Sequence, residues 1–174
     1  MKDVECARLF EKITGRFTIL EGGGSVHDDP DYQQRALHFQ LGRIEAIYNK
    51  IALQLHLSES AFWILYLVSK APYACSQQDI YRELSLPKTT VNSAVQTLCR
   101  KGLVNLERAP NERRTKMIRL TKHGADFAAK YIVPLQEAEQ KAFLALCGDE
   151  RRIFVGMSKK YAENLTEEFE RLFH

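Results

Sequence analysis

Cysteine is scarce in this 174-residue chain, and the four present, Cys6, Cys75, Cys99 and Cys147, form no C-x-x-C pair. That spacing indicates neither a zinc knuckle nor a disulfide scaffold, and reduced, buried or idle thiols are expected. No apolar run approaches the roughly 20 residues needed to cross a bilayer. The first residues mix Lys2, Asp3, Glu5 and Arg8 with apolar ones, unlike a signal peptide. A cytoplasmic protein with no membrane partner is expected. His27, His38, His56, His123 and His174 include no H-x-x-x-H pair, so no metal is indicated. There is no G-x-S-x-G, and Gly22-Gly23-Gly24 lacks the following Lys-Ser/Thr of a phosphate loop. Neither an enzyme nor a bound cofactor is expected.

A strong net charge is missing too, since the total is only +3. Its distribution says more than its sum. Between Ser76 and Lys122 ten Lys or Arg face four acids, a net of +6, which leaves the rest of the chain at −3. A basic segment within an otherwise acidic protein is what a polyanion-binding surface needs, because each neutralised phosphate releases counterions. On charge alone, a solvated basic face is an equally good reading.

What is present is hydrophobic periodicity. With 45% hydrophobic and 27% charged residues, the chain is large enough for one domain with a core. Cys6, Leu9, Ile13, Phe17 and Leu20 share one helical stripe, which Gly22-Gly23-Gly24-Ser25 ends. Residues 1–30 are thus expected as a helix and glycine linker, a dimer arm. Leu37, Leu41, Ile44, Tyr48, Ile51 and Leu55 alternate steps of four and three over about five turns, so residues 31–57 form a long helix that needs an apolar partner. Ser58 caps a third helix with Ala61, Ile64, Leu65 and Val68 inward. Ser76-Gln77-Gln78-Asp79 matches a capping box, and a short helix follows with Ile80 and Leu84 inward.

After Leu86, Pro87 suits the first position of another helix, running to about Lys101 with Val91, Ala94, Val95 and Leu98 buried. Its opposite face carries Thr89, Asn92, Ser93, Gln96 and Arg100. Short neutral polar groups suit hydrogen bonding to base edges, whereas a merely solvated helix is usually rich in Glu and Lys. Gly102 ends this helix. Leu103–Arg108 and Thr115–Leu120 read as strands joined by Ala109-Pro110-Asn111-Glu112, a hairpin tipped by Arg113 and Arg114. Thr121 caps a return to helix past Gly124, kinked at Pro134 and continuing to Cys147-Gly148. The last helix, about Asp149 to Phe173, aligns Phe154, Met157, Tyr161, Leu165, Phe169 and Leu172. The long amphipathic stripes outside the basic segment suggest a helical dimer platform.

The run Leu84-Ser85-Leu86-Pro87-Lys88-Thr89-Thr90-Val91, the ending Leu98-Cys99-Arg100-Lys101-Gly102-Leu103, and the pair Glu112-Arg113-Arg114 before Leu120-Thr121-Lys122-His123-Gly124 resemble the MarR family of winged helix-turn-helix transcriptional regulators. Pro87 stands where that family often has a capping Ser or Asp, and Glu112 where its wing Asp is usual. The resemblance implies a mainly α fold with a small β-hairpin wing (α+β), a winged helix-turn-helix head over residues 58–122, and C-terminal dimerisation helices over 123–174. It also implies a homodimeric repressor that binds double-stranded DNA at a pseudo-palindromic operator and is released by a small-molecule signal, an aromatic or phenolic acid. Thr89, Asn92, Ser93 and Gln96 are then expected at base edges, with Lys88, Thr90 and Arg100 on phosphates. Arg113 or Arg114 is expected in the minor groove, where narrow A·T-rich tracts attract arginine, and Lys116 beside them. Ser76 and Gln77, at a helix N-terminus, are candidates for a further phosphate. Phe39, Arg43, Tyr48, Trp63 and Tyr66 are the residues to inspect for an effector pocket, although aromatics at helical spacing are usually core. A redox sensor built on Cys6, a metal sensor built from distant histidines, and a winged helix used for protein contact are the alternatives.

Overall fold

In the computed structural model of the protein, residues 28–71, 75–109 and 112–173 are described, with the backbone alone for 108, 109 and 112–115. The proposed N-terminal helix, its glycine break, Cys6 and His27 lie outside these residues. Among the described residues, helices α1 (Pro30–Gln54) and α2 (Glu59–Lys70) are followed by β1 (Cys75–Ser76), α3 (Gln77–Leu84) and α4 (Lys88–Arg100). Then come β2 (Val104–Ala109), β3 (Glu112–Leu120), α5 (Lys122–Phe127), a π-helical turn (Ala128–Ile132), α6 (Val133–Leu144) and α7 (Gly148–Phe173). The fold is mainly α with one small antiparallel sheet. The chain divides into two units, the first ending at Tyr48 and the second beginning at Asn49.

Side-chain oxygens set the helix starts, as the local sequence predicts. Ser58 Oγ accepts from the Ala61 N–H at 3.3 Å, and Thr121 Oγ1 accepts from the Gly124 N–H at 2.8 Å. At α3 the capping box is complete. Asp79 N–H donates to Ser76 Oγ at 3.1 Å, and Asp79 Oδ2 accepts from both the Ser76 N–H at 3.0 Å and the Ser76 hydroxyl at 2.7 Å. These bonds favour the ionised carboxylate and lower the Asp79 pKa, with the side-chain bond the larger cause. A lowered folded-state pKa stabilises the fold above the ordinary aspartate value, and that gain is lost as the pH falls through the lowered value. Asp79→Ala removes the N3 half of the capping box and should be less stable than wild type at neutral pH by at most about 1 kcal/mol, because water screens this exposed carboxylate. Thermal unfolding followed downward in pH should show the two proteins converging; a gap that persists in acid would assign the effect to packing.

The core of the second unit joins Phe62, Ile64, Leu65 and Val68 of α2 to Val91, Val95 and Leu98 of α4, closed by Ile80, Val104, Ile118 and Ile132, all buried. Phe62 and Trp63 meet edge to face at 5.3 Å, as do Trp63 and Tyr66 at 5.4 Å. A polar cluster ties α2 to α6. The Tyr66 hydroxyl donates to Glu139, and Gln136 Nε2 donates to the Tyr66 carbonyl at 3.0 Å and to Ser69 Oγ at 3.1 Å.

The expected hairpin of β2 and β3 forms, and Cys75 and Ser76 add a third strand to it by pairing with Ile118 and Met117, in the order β1-β3-β2. Two expectations need correction. Pro87 is the N-cap of α4, with extended ψ of 143°, and helical geometry starts at Lys88. The irregularity expected at Pro134 lies upstream, in the π-helical turn, where the Val133 N–H reaches back to the Ala128 carbonyl. Pro134 has no N–H to give and its ring crowds the carbonyl four residues back, so the wider turn re-registers the backbone before it. The proline then sits in the first turn of α6, where it is tolerated.

Candidate nucleic-acid interface

Helix α4 is held on one side and presented on the other. Val91, Ala94, Val95 and Leu98 are buried. Lys88, Thr89, Asn92, Ser93, Gln96 and Arg100 are exposed, and Thr90 is half-buried. Six of the seven α4 residues expected to touch nucleic acid therefore lie on the outer face. Thr97 Oγ1 donates to the Ser93 carbonyl at 3.0 Å and accepts from Arg100 Nη2 at 3.0 Å, which fixes the guanidinium along the last turn.

Gly102 follows, with φ of +68° in the left-handed region that closes helices at low cost. It delivers the chain into β2. Antiparallel pairing runs from Val104–Leu120 to Arg108–Lys116, and then shifts so that Ala109 faces Glu112. Arg113, Arg114 and Thr115 lie between those two pairs, in a bulge at the tip of the wing. Bulges bend and twist a ribbon locally. Of the other wing cations, Lys116 is exposed, while Arg119 Nε pairs with Glu107 Oε2 at 2.8 Å.

Two expected contacts change character. Ser76 is buried and its hydroxyl is committed to Asp79, so the capping box uses the group expected to hold a phosphate. Gln77 is half-buried and points its amide at α4, where Nε2 donates to Asn92 Oδ1 at 3.1 Å. The Tyr81 hydroxyl donates to the same oxygen at 3.0 Å. Tyr81 was not expected at this surface. Its position, four residues after Gln77 on α3, puts both on one helical face, which is the signal that would have found it.

The effector candidates fall in both units. On α1, Arg43 lies over the Phe39 ring at 6.0 Å and donates to Gln40 Oε1 at 3.2 Å; both Phe39 and Arg43 are exposed and Tyr48 is half-buried. In the second unit, Trp63 is half-buried in the aromatic run of α2 and Tyr66 is buried, with its hydroxyl on Glu139. Burial raises the Cys75 thiol pKa, helped by the Asp79 charge, and burial likewise raises that of Cys99. Both thiols are thereby kept protonated and poorly nucleophilic. Among the described residues no group of three His, Cys, Asp or Glu is placed to hold a metal, and no single helix is long and apolar enough to cross a membrane.

Comparison with known proteins places this geometry. Residues 55–115 match the family model described as MarR family. A 90-residue stretch, 52% of this chain, is 28% identical to YwhA, an uncharacterised HTH-type transcriptional regulator of Bacillus subtilis, and spans 65% of that relative, just under two thirds of its length. A MarR family regulator from Neisseria meningitidis superposes with a TM-score of 0.67 at 24% identity, over 80% of this chain and 97% of the other. A protein from Listeria monocytogenes described as a MarR family transcriptional regulator, complexed with 26mer DNA, gives 0.62 at 19% identity over 78% and 89%. BpsR of Bordetella bronchiseptica, whose DNA binding is regulated by 6-hydroxynicotinic acid, gives 0.57 at 19% identity over 81% and 98%. At these identities the superpositions establish the fold.

Proposed function

We infer that this chain, which carries the winged helix-turn-helix of the MarR family of transcriptional regulators, is a homodimeric, sequence-specific DNA-binding repressor released by a small aromatic acid. The observation that carries the reading is the outer face of α4, where Thr89, Asn92, Ser93 and Gln96 stand exposed between Lys88 and Arg100. Neutral hydroxyls and amides flanked by cations suit a helix laid in a major groove, with bases read in the middle and phosphates gripped at the ends. The bulged wing, carrying Arg113 and Arg114, is suited to the adjacent minor groove. Lys88, Thr90, Arg100 and Lys116 supply backbone contacts.

Two-fold symmetry is supported by exposed apolar surface. On α7, Phe154, Met157, Phe169 and Leu172 are each more than half exposed, more than an isolated chain usually leaves in water. Two copies joined through such faces would present two α4 helices to half-sites about one helical turn apart, hence a pseudo-palindromic operator. An aromatic acid as the signal is supported by the small acid that regulates DNA binding by BpsR. Phe39 and Arg43, an aromatic face beside a guanidinium on α1, suit such a ligand.

The test is fluorescence anisotropy with the intergenic DNA upstream of its own gene, across a salt series. If each of two heads neutralises about three phosphates, the logarithm of affinity should fall against the logarithm of salt concentration with a slope of about −5. Lys88→Ala should weaken binding to all sequences and make the slope shallower by about 2 per dimer. Affinity that is flat in salt would overturn the reading.

A further inference from the structure

The geometry points to Asn92 as a donor-only reader of base edges, set in that state by Tyr81 and Gln77. The inference rests on the DNA-binding reading above and names what one side chain of that surface selects. A carboxamide has one oxygen with two lone pairs and one nitrogen with two N–H donors. In Asn92 both lone pairs are taken from the neighbouring helix, by Gln77 Nε2 at 3.1 Å and by the Tyr81 hydroxyl at 3.0 Å. Gln77 and Tyr81 are half-buried while Asn92 is exposed, so with its oxygen engaged by α3 the side chain has its NH2 donors to offer.

This arrangement removes the usual use of asparagine in a major groove. Reading adenine takes both ends of the amide, the oxygen accepting from N6–H and the nitrogen donating to N7. An asparagine whose oxygen is already doubly bonded offers donors alone. Its best matches are edges that present acceptors without a neighbouring donor, O6 and N7 of guanine or O4 of thymine; adenine offers N7 alone, beside an N6 amino group that the occupied oxygen no longer accepts from. Its mismatch is cytosine, whose N4 amino group would oppose donor with donor. The α3–α4 contact is therefore a specificity setting as well as a packing contact. Tyr81 and Gln77 are positioning residues, acting on DNA through Asn92.

Selection of bound sequences from randomised duplexes tests this. The wild-type protein is compared with Asn92→Ala, Tyr81→Phe and the double variant Tyr81→Phe/Gln77→Met, each checked for folding by circular dichroism. Asn92→Ala should erase selectivity at one base position in each half-site, which identifies the position read. There the wild type should favour guanine or thymine over cytosine by about fivefold or more. The double variant, with the oxygen released, should move that preference toward adenine by a similar factor, with Tyr81→Phe between the two. Wild-type selection of adenine at that position would overturn the inference, and so would an unchanged preference in the double variant. Uniform weakening by Asn92→Ala, with no base position affected, would reduce Asn92 to a backbone contact and overturn it as well. In each of those cases the DNA-binding reading survives; absence of salt-dependent binding by the wild type would fell both.

Discussion

Gly124→Ala should destabilise the head by about 3 kcal/mol or more, at or beyond the upper end of ordinary overpacking. A Cβ built on Gly124 would lie 1.8 Å from the Leu103 carbonyl oxygen and 2.7 Å from its carbon. Those are backbone atoms and have no rotamer to retreat into. Leu103 is also pinned at both of its polar groups, since its N–H donates to Leu98 at 3.0 Å and its carbonyl accepts from the Thr121 N–H at 3.1 Å. The end of α4, the start of the wing and the start of α5 thus meet at one point with room for a hydrogen and nothing larger. At about 2–4 °C per kcal/mol for a chain of this size, the midpoint of thermal unfolding should fall by about 6–12 °C or more. DNA affinity should fail with it, because α4 and the wing share the junction. Gly42→Ala is the control. Nothing lies within 4 Å of its Cβ position, so exchange there should cost nothing in contacts and gain up to about 1 kcal/mol of helix propensity. An unfolding midpoint for Gly124→Ala within about 2 °C of wild type would mean that the junction gives way more easily than its hydrogen bonds imply.

That junction also illustrates what was legible beforehand. Gly124 stands in the Leu-Thr-x-x-Gly run that carried part of the family resemblance, but only the close approach of Leu103 explains why a glycine is needed. Helix starts at Ser58, Ser76 and Thr121 were readable because an N-cap is a local event, decided by a side chain within three residues of the N–H it satisfies, and the stop at Gly102 because a single glycine takes the left-handed conformation that ends a helix. The buried and exposed faces of α4 followed from periodicity alone. Strand β1 was not readable, since two residues have no period and Cys75–Ser76 is extended only because Met117 and Ile118 lie beside it. The π-helical turn escaped for a similar reason: Pro134 announces a disturbance but not which upstream turn absorbs it. In the site, the residue types on α4 were legible and their couplings were not. The sequence marks Asn92 only as one of several short neutral polar groups, whereas its oxygen is occupied by a tyrosine eleven positions upstream on another helix.

Placing a charge in the apolar face of α7 is the second substitution expected to have a large effect, and it acts at a distance from the bases. Met157→Glu combined with Phe154→Glu should give a folded monomer whose affinity for the full operator falls about a hundredfold or more. Both side chains are more than half exposed, so neither supports the core around Phe62 and Leu98, and the unfolding of the head should be little changed. In a dimer the same positions would bury two carboxylates per chain against apolar surface, at a cost of several kcal/mol per unpaired charge. Loss of the dimer removes the second head from the effective concentration that the platform imposes, and linkage of two modest binders is worth about 10²–10⁴ in affinity. Light scattering coupled to size exclusion reports the assembly state, and anisotropy on full-site and half-site duplexes reports binding. The monomer should bind half-site and full site alike, with a salt slope about half that of wild type, because only one set of phosphate contacts remains. A doubly substituted protein that stays dimeric would move the interface away from this face of α7. A monomer that keeps wild-type affinity for the full operator would show that one head suffices, and would remove the reason for a two-fold operator.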